Sequence, residues 1–552
     1  MKRHILATTI TTLTATCLGM LQGPSPAVAA PIADPARATV SGAAARCPSL
    51  TRLRLDATDI GLPTRGGEVD SATLNSADPA GGRPEFCLAR GRVHSFDTKA
   101  PDINFQVNLP TSWNRKSVQF GGSGFNGVVI TGLDVAPGFV NTDPAHGEPP
   151  INRGYATFGS DGGTAVGTGP TGSFALNKEA LANWSGQSVK RTRDAVIDLV
   201  KRYYGERPSK QYYVGASKGG HEALVAAQRY GADYDGIIAY YPAIENQAMV
   251  LSWHHIWQQA YSRPGGYLNP AKQQLVANAV YGTCDNLDGA VDGVISNVRG
   301  CDDAFSVESL RCPAGTDSSD TCLSETQIQT LRTAASRYTF AFPLANGVAG
   351  IGPYPVLRGA DLAPLMLDSA GNGEATGYHA LFGPVIRYFI EQDADGPLAN
   401  FDYRQYEKPI KELSGLLNAT NPDIDRFADH GGKLIIVQGT TDMAVPEALT
   451  NAYYERMAER YGPSIRRFVR YYVQPGYAHG SGRFDLAWDS LTALDDWRSR
   501  NNPPANPVAT DANPATKNRT RPLCEYPLWP KYRGHGDVGQ AKNFSCAGQG
   551  PR

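Results

Sequence analysis

Gly215-Ala216-Ser217-Lys218-Gly219 stands between a β-rich run, 211–214, and a helical stretch, 220–230. No other feature limits the fold as strongly. Small residues on both sides of the serine let the backbone turn sharply from strand to helix, which lifts the hydroxyl above the sheet where a base can reach it. With 59 glycines in 552 residues the pattern alone would be weak. Its position at a strand-to-helix junction makes it informative.

The flanking sequence repeats that alternation. Short β-rich runs at 105–109, 117–120, 155–158, 211–214 and 236–240 alternate with helical stretches, the pattern of a parallel sheet covered by helices. A helix over 187–204 places Val189, Ala195, Val196, Leu199 and Val200 on one apolar face. From 244 to 426 the alternation stops, and glycine, proline and four cysteines gather, which reads as an inserted lid. It resumes at 433–438 and 467–473, each run ending in a loop, and a helix is predicted over 485–498. The Pro/Asn/Thr-rich segment 501–521 is expected to run over the surface as a strap.

A serine hydroxyl is a weak nucleophile near neutral pH and needs a base, which in turn needs a partner that fixes its tautomer. Asp442 follows the run 433–438, and His479 follows the run 467–473 within Pro475-Gly476-Tyr477-Ala478-His479-Gly480. The order Ser217, Asp442, His479 is that of α/β-hydrolases. The expected fold class is therefore α/β: an α/β-hydrolase core made of 46–243 and 427–552, with 244–426 as a large inserted lid. A tetrahedral oxyanion needs backbone donors, and the loop Gly121-Gly122-Ser123-Gly124-Phe125-Asn126-Gly127 allows close backbone approach. The expected donors are the amides of Lys218 and Gly122.

Charge narrows the substrate. Lys and Arg number 52 against 53 acids, without a basic stripe or acidic tail, so nothing points to nucleic acid or an anionic surface. A neutral or weakly polar substrate fits better. Lys2 and Arg3 precede an apolar run over 5–21 that is too short to span a bilayer, and Ala27-Val28-Ala29 is a small-x-small cleavage pattern. A secretory signal over 1–29, a disordered segment over 30–45 and an extracellular location are expected, with no membrane association. Cys17 lies in that signal, which leaves Cys47, Cys87, Cys284, Cys301, Cys312, Cys322, Cys524 and Cys546. An even number in an exported chain favours four disulfides, with 105 pairings open.

Asp285, Asp288 and Asp292 fall within eight residues, bracketed by Cys284 and Cys301. Hard oxygen ligands at short loop spacing suit calcium, although the acids are not in EF-hand register and no glutamate closes the loop. A metal-free Asp-Gly turn cluster is the alternative.

Besides the serine turn, Ala226-Ala227-Gln228-Arg229-Tyr230, Asp235-Gly236-Ile237, Asn418-Ala419-Thr420-Asn421-Pro422-Asp423, Gly431-Gly432-Lys433-Leu434 and Arg521-Pro522-Leu523-Cys524 resemble recurring stretches of the tannase and feruloyl esterase family. The match runs through most of the mature chain. The resemblance implies a lidded α/β-hydrolase with Ser217, Asp442 and His479 as triad. It also implies a structural calcium in the lid, held by the carboxylates of Asp285, Asp288 and Asp292 and the carbonyls of Ala290 and Val294. The disulfides it implies are Cys47–Cys87, Cys284–Cys301, Cys312–Cys322 and Cys524–Cys546. One departure stands out: typical members carry cysteines immediately before the serine and after the histidine, where this chain has Ala216 and Gly480.

By the same resemblance the expected activity is that of a secreted serine ester hydrolase acting on feruloyl or related hydroxycinnamoyl esters of plant cell-wall polysaccharide. Galloyl esters, as for a tannase, and terephthalate monoesters are the nearest alternatives. A peptidase on this fold, or a non-catalytic secreted polysaccharide-binding protein, are the rivals from other classes. In the lid, Tyr378, Phe382, Tyr388 and Phe389 are candidates for an acyl pocket, at a spacing that equally suits core packing.

Overall fold

Each β-rich run read from the sequence is a strand of one ten-stranded sheet in the computed structural model. The structure describes residues 42–548 apart from 79–81, 134–147, 166–171, 367–372, 374–376 and 517. The strands in chain order are β1 (Arg54–Leu55), β2 (Gly67–Asn75), β3 (Phe86–Val93), β4 (Ile103–Pro110), β5 (Lys116–Phe120), β6 (Ala156–Ser160), β7 (Lys210–Ala216), β8 (Gly236–Tyr240), β9 (Tyr338–Thr339), β10 (Gly350–Ile351), β11 (Lys433–Gly439) and β12 (Val469–Gln474). The large sheet has the order β1-β2-β3-β4-β6-β5-β7-β8-β11-β12, and β9 and β10 form a separate small hairpin.

From β6 through β12 the sheet is parallel, and from β1 to β6 it is antiparallel. The antiparallel half departs from the all-parallel expectation. The links between β2, β3 and β4 are too short for a crossover helix, and only antiparallel neighbours can be joined that way.

The parallel strands are buried on both faces, which is why they read as unbroken apolar runs. Tyr212, Val214, Ile238, Tyr240, Ile435 and Val437 pack with Leu491, Leu494 and Trp497 of the helix Ser490–Arg500. The alternate residues Tyr213, Ile237, Ala239, Leu434 and Ile436 pack with Leu224 and Val225 of the helix Lys218–Arg229. That second core continues without a break into Trp253, Phe382 and Phe389. The predicted helix over 187–204 is observed as Ser188–Tyr204, and its Val196, Leu199 and Val200 pack with Phe105, Val107 and Phe158.

Between β8 and β11 the described residues add no strand to the large sheet. The longer described helices of this segment are Asn246–Tyr261, Pro270–Cys284, Glu325–Ala334 and Glu407–Leu417, with His379–Pro384 between the last two and the β9–β10 hairpin among them. Helix starts here are set locally: Asn269 caps one, and Ser324 with Gln327 forms a capping box at another.

The disulfides are Cys47–Cys87, Cys284–Cys301, Cys312–Cys322 and Cys524–Cys546. The expected signal, 1–29, lies outside the described residues. The last part of the segment expected to be disordered instead forms the helix Ala43–Arg46, with Ala43 buried. The Cys47–Cys87 bond and a 2.8 Å hydrogen bond from Arg46 Nη1 to the Tyr203 carbonyl anchor it. The strap over 501–521 contributes Val508–Asp511 and Thr520–Pro522 to a small three-stranded sheet with Leu486–Ala487. Among the described residues no helix is long and apolar enough to cross a membrane.

Candidate active site

Ser217 sits at the junction of β7 and the helix Lys218–Arg229, with φ 58° and ψ −117°. A non-glycine residue there is strained, and the surrounding contacts hold it. The Ser217 amide donates to the Tyr240 carbonyl at 3.0 Å, and its own carbonyl accepts from the amides of His221 and Ala243. The flanking glycines are sterically required. A Cβ on Gly215 would stand 2.1 Å from the Gly219 carbonyl oxygen, and one on Gly219 would stand 2.7 Å from that of Gly122.

The loops after β11 and β12 bring Asp442 and His479 to the serine. His479 Nε2 lies 2.8 Å from Ser217 Oγ, and Nδ1 lies 2.9 Å from Asp442 Oδ2. Asp442 is fully buried, and its other oxygen accepts from the Ala444 and Val445 amides at 2.8 and 2.9 Å. A buried carboxylate with that many donors is an acceptor fixed in direction, so it selects the Nδ1–H tautomer and turns the Nε2 lone pair toward the hydroxyl. The Tyr241 ring packs on the imidazole with centroids 4.5 Å apart. Ala216 is the last residue of β7, and Gly480 adopts φ 92°, a left-handed conformation open to glycine.

The two expected oxyanion donors differ in availability. Lys218 occupies the first position of its helix, where the amide has no intrahelical acceptor. The Gly122 amide is already taken: it donates to Glu222 Oε2 at 2.9 Å. This corrects the assignment of Gly122, whose N–H is committed to the buried Glu222 carboxylate, a partner 100 residues away that no local pattern reveals.

Ser217 opens onto an apolar pocket walled by Phe125, Trp184, Met249, Val250, Trp253, Leu381, Val385 and Leu417. Of the lid aromatics singled out from the sequence, none is among these walls. Tyr378 stacks behind Trp253 at 5.0 Å, Phe389 meets Trp184 edge-on at 5.4 Å, and Phe382 packs against His254 and Trp257. Trp184 and Trp253 were missed. Trp184 precedes the helix read over 187–204 and Trp253 lies in the segment read as an inserted lid, and only tertiary packing turns both toward the serine. A larger cavity beside Arg299, Arg358, Glu447, Asn451, Tyr526 and Trp529 contains none of Ser217, Asp442 or His479.

The acidic loop lies elsewhere in the inserted segment. Asp285 accepts from the Gly293 amide with both oxygens, Asp288 Oδ1 from the Ala290 amide at 2.9 Å, and Asp292 Oδ1 from the Val294 amide at 3.0 Å. Asp292 Oδ2 is paired with the buried guanidinium of Arg521. Among the described residues no three acidic, histidine or cysteine side chains converge as a metal centre. Any ion bound here would share Asp292 with Arg521, which reaches it from a strand 229 residues away. Asp288 Oδ2, however, is buried without a hydrogen bond of ordinary length, and burial pushes that carboxyl up to about 6. An orphaned buried carboxylate oxygen flanked by the buried Ala290 and Val294 fits a hard cation.

The family model described as tannase and feruloyl esterase matches residues 87–547. An uncharacterized esterase of Agrobacterium fabrum is 36% identical over 532 residues, covering 92% of this chain and 94% of that protein. The mono(2-hydroxyethyl) terephthalate hydrolase of Piscinibacter sakaiensis is 29% identical over 556 residues, covering 89% and 90% respectively. The crystal structure of feruloyl esterase B from Aspergillus oryzae shares the fold, with a TM-score of 0.73 at 22% identity over 92% of this chain and 100% of that one. The chain therefore belongs to the tannase and feruloyl esterase family and is a carboxylic ester hydrolase built on the α/β-hydrolase fold.

Proposed function

We propose that this protein is a secreted feruloyl esterase in which Ser217 is the nucleophile, His479 the general base and acid, and Asp442 the group that orients the imidazole. The observation that carries the reading is the hydrogen-bond chain from Ser217 Oγ through His479 to buried Asp442, at the mouth of an apolar pocket. His479 Nε2 takes the hydroxyl proton as Oγ attacks the ester carbonyl, and the Lys218 amide faces the developing oxyanion. Protonated His479 then gives that proton to the departing alkoxide, leaving an acyl-serine. Water, deprotonated by the same nitrogen, releases the acid and restores the serine.

The acyl side of the substrate is an aromatic acid. Trp184, Trp253 and Phe125 offer flat apolar surface for a ring, and the family model points to feruloyl or galloyl groups. The alcohol side is a sugar of plant cell-wall polysaccharide, consistent with a chain of near-zero net charge. Four disulfides accord with an extracellular location. A terephthalate monoester is the second reading, favoured by the likeness to the terephthalate hydrolase along 89% of the chain.

Calcium is proposed as a structural ion in the inserted segment, held by Asp285, Asp288 and Asp292 with the Ala290 and Val294 carbonyls. It would supply positive charge to Asp285 and Asp288, whose carboxyls are raised by burial and further by the neighbouring Asp292. No step of ester hydrolysis passes through it.

The test is initial rates on methyl ferulate, methyl gallate, mono(2-hydroxyethyl) terephthalate and a short aliphatic nitrophenyl ester, with Ser217→Ala as control. Ferulate hydrolysis lost in the variant supports the reading, and a gallate or terephthalate preference moves the substrate. Turnover of the nitrophenyl ester alone sinks the aromatic-acid assignment, and a folded wild type inert on all four sinks the esterase reading.

A further inference from the structure

The helix that begins at Ser217 carries Lys218, His221 and Glu222 on one face, one turn apart, and all three are buried at 4%, 2% and 3% exposure. An ammonium and a carboxylate so placed lose their hydration and persist only where the protein replaces it. Lys218 Nζ donates to the Trp184 carbonyl at 2.6 Å and to His221 Nδ1 at 2.9 Å, stands 3.8 Å from Glu222 Oε1, and lies 4.2 Å from the centroid of the Trp184 ring. His221 Nε2 donates to the Leu417 carbonyl at 2.6 Å, which leaves Nδ1 free to accept. Glu222 receives the Gly122 amide at 2.9 Å, the Tyr213 hydroxyl at 3.1 Å and Asn126 Nδ2 at 2.8 Å.

These contacts end on the parts that surround the reacting serine. Trp184 and Leu417 wall the pocket, and Gly122 and Asn126 belong to the loop after β5. We propose that the Lys218 side chain, acting through Glu222 and His221, is a positioning residue that fixes the glycine loop and two walls of the acyl pocket relative to the nucleophile. The proposal rests on Ser217 being the nucleophile. It concerns the ammonium and not the Lys218 amide, and the hydrogen-bond and ion-pair partners of Nζ include none of Ser217, Asp442 or His479.

The ammonium is held in a setting where it can be lost. Burial lowers it to about 8, with Glu222 opposing and Arg229 adding to the shift, while burial keeps His221 neutral and Tyr213 protonated. Those are the titratable groups around it; the Trp184 segment meets the cluster through its carbonyl and its ring, and the Leu417 segment through a carbonyl. When Nζ loses its proton, its ion pair with Glu222 is lost in a buried site, and the loop that Glu222 holds relaxes.

The experiment compares full-length wild type with Lys218→Met, Lys218→Arg and Glu222→Gln on methyl ferulate, with active sites counted by a fluorophosphonate that traps Ser217. In Lys218→Met, kcat per trapped site is expected to fall about 10- to 100-fold, more than KM changes. The wild-type decline in kcat above about pH 8 should be absent from that variant. Lys218→Arg should recover part of kcat and move the decline to higher pH. Wild-type kcat per trapped site with an unchanged pH profile in Lys218→Met overturns the proposal, as does a loss confined to melting temperature. Should Lys218→Met fail to fold, Glu222→Gln carries the same two outcomes. If Ser217 of wild type takes up no fluorophosphonate, the nucleophile assignment itself fails, and this proposal with it.

Discussion

The Gly476 amide donates to the Thr440 hydroxyl at 3.0 Å, so the loop that carries Asp442 and the loop that carries His479 are joined before either side chain is considered. The Thr441 amide donates to the Tyr477 carbonyl at 3.1 Å. The backbones are so close that a Cβ on Gly439 would stand 2.0 Å from the same carbonyl oxygen. The Asp442–His479 hydrogen bond therefore forms between two parts already held in register. Thr440→Val, of similar shape, should lower kcat about 10-fold while Ser217 still reacts with a fluorophosphonate, and Gly439→Ala should cost more. Wild-type kcat in both would mean that the Asp442–His479 contact suffices to hold the loops.

Asp442→Asn keeps the shape of the carboxylate but offers an NH2 group to His479 Nδ1, which favours the wrong tautomer. The expected loss in kcat is about 10⁴-fold with little change in KM. Steady-state rates on methyl ferulate measure it, and a loss below about 10-fold would remove Asp442 from the triad.

Gly122→Ala tests the loop that Glu222 anchors. A Cβ there would fall 2.1 Å from Asn126 Oδ1, so either the Asn126 side chain or the loop must shift, and the hydrogen bond from Asn126 to Glu222 is disturbed. A shift of this size is expected to cost about 100-fold in kcat. Circular dichroism should stay near wild type while the melting temperature falls, since Gly122 and Asn126 are buried, and wild-type kcat would mean that Glu222 does not set the position of this loop.

Trp253 walls the pocket and stacks on Tyr378. Trp253→Ala removes a flat face that an aromatic acyl group would use and a short aliphatic one would not. The ratio of kcat/KM for methyl ferulate to that for a nitrophenyl acetate should fall about 10-fold or more, the worth of ~1.4 kcal/mol. An unchanged ratio would place the ring elsewhere.

Glu245 gives a pH signature in stability. Burial pushes its carboxyl up from 4.5 to about 8, with the Ser414 hydroxyl opposing. Because the folded state keeps a proton that the unfolded chain has lost between those values, the contribution of this group to stability falls as pH rises through that window. Glu245→Gln cannot ionise, so its Tm relative to wild type should rise with pH, by about 1–3 °C at the alkaline end. A constant difference across the window would mean that Glu245 is neutral or charged throughout.

Chelation tests the acidic loop. If a divalent ion occupies Asp288, removing it with a chelator should lower Tm by several degrees, and calcium should restore it. Asp288→Ala should abolish that response. A Tm indifferent to chelator and calcium would leave Arg521 as the cation that serves this loop.

The sequence by itself determined the strands of the parallel half, the serine turn, and the order in which Asp442 and His479 follow, because each depends on local patterns: apolar runs of strand length, small residues at a sharp turn, loops after strands. It also carried the resemblance to the family. In the antiparallel half β4 was legible but β2 and β3 escaped, since β2 is largely exposed and β3 breaks its apolar residues with two arginines and a glycine. What only the tertiary structure decided concerns contacts between distant segments. Trp184, Trp253 and Leu417 meet around Ser217 from three parts of the chain, Arg521 reaches Asp292, and Glu222 captures the Gly122 amide. A side chain's periodicity reveals that it is buried, but its partner depends on how elements far apart in sequence pack together, and no local pattern encodes that.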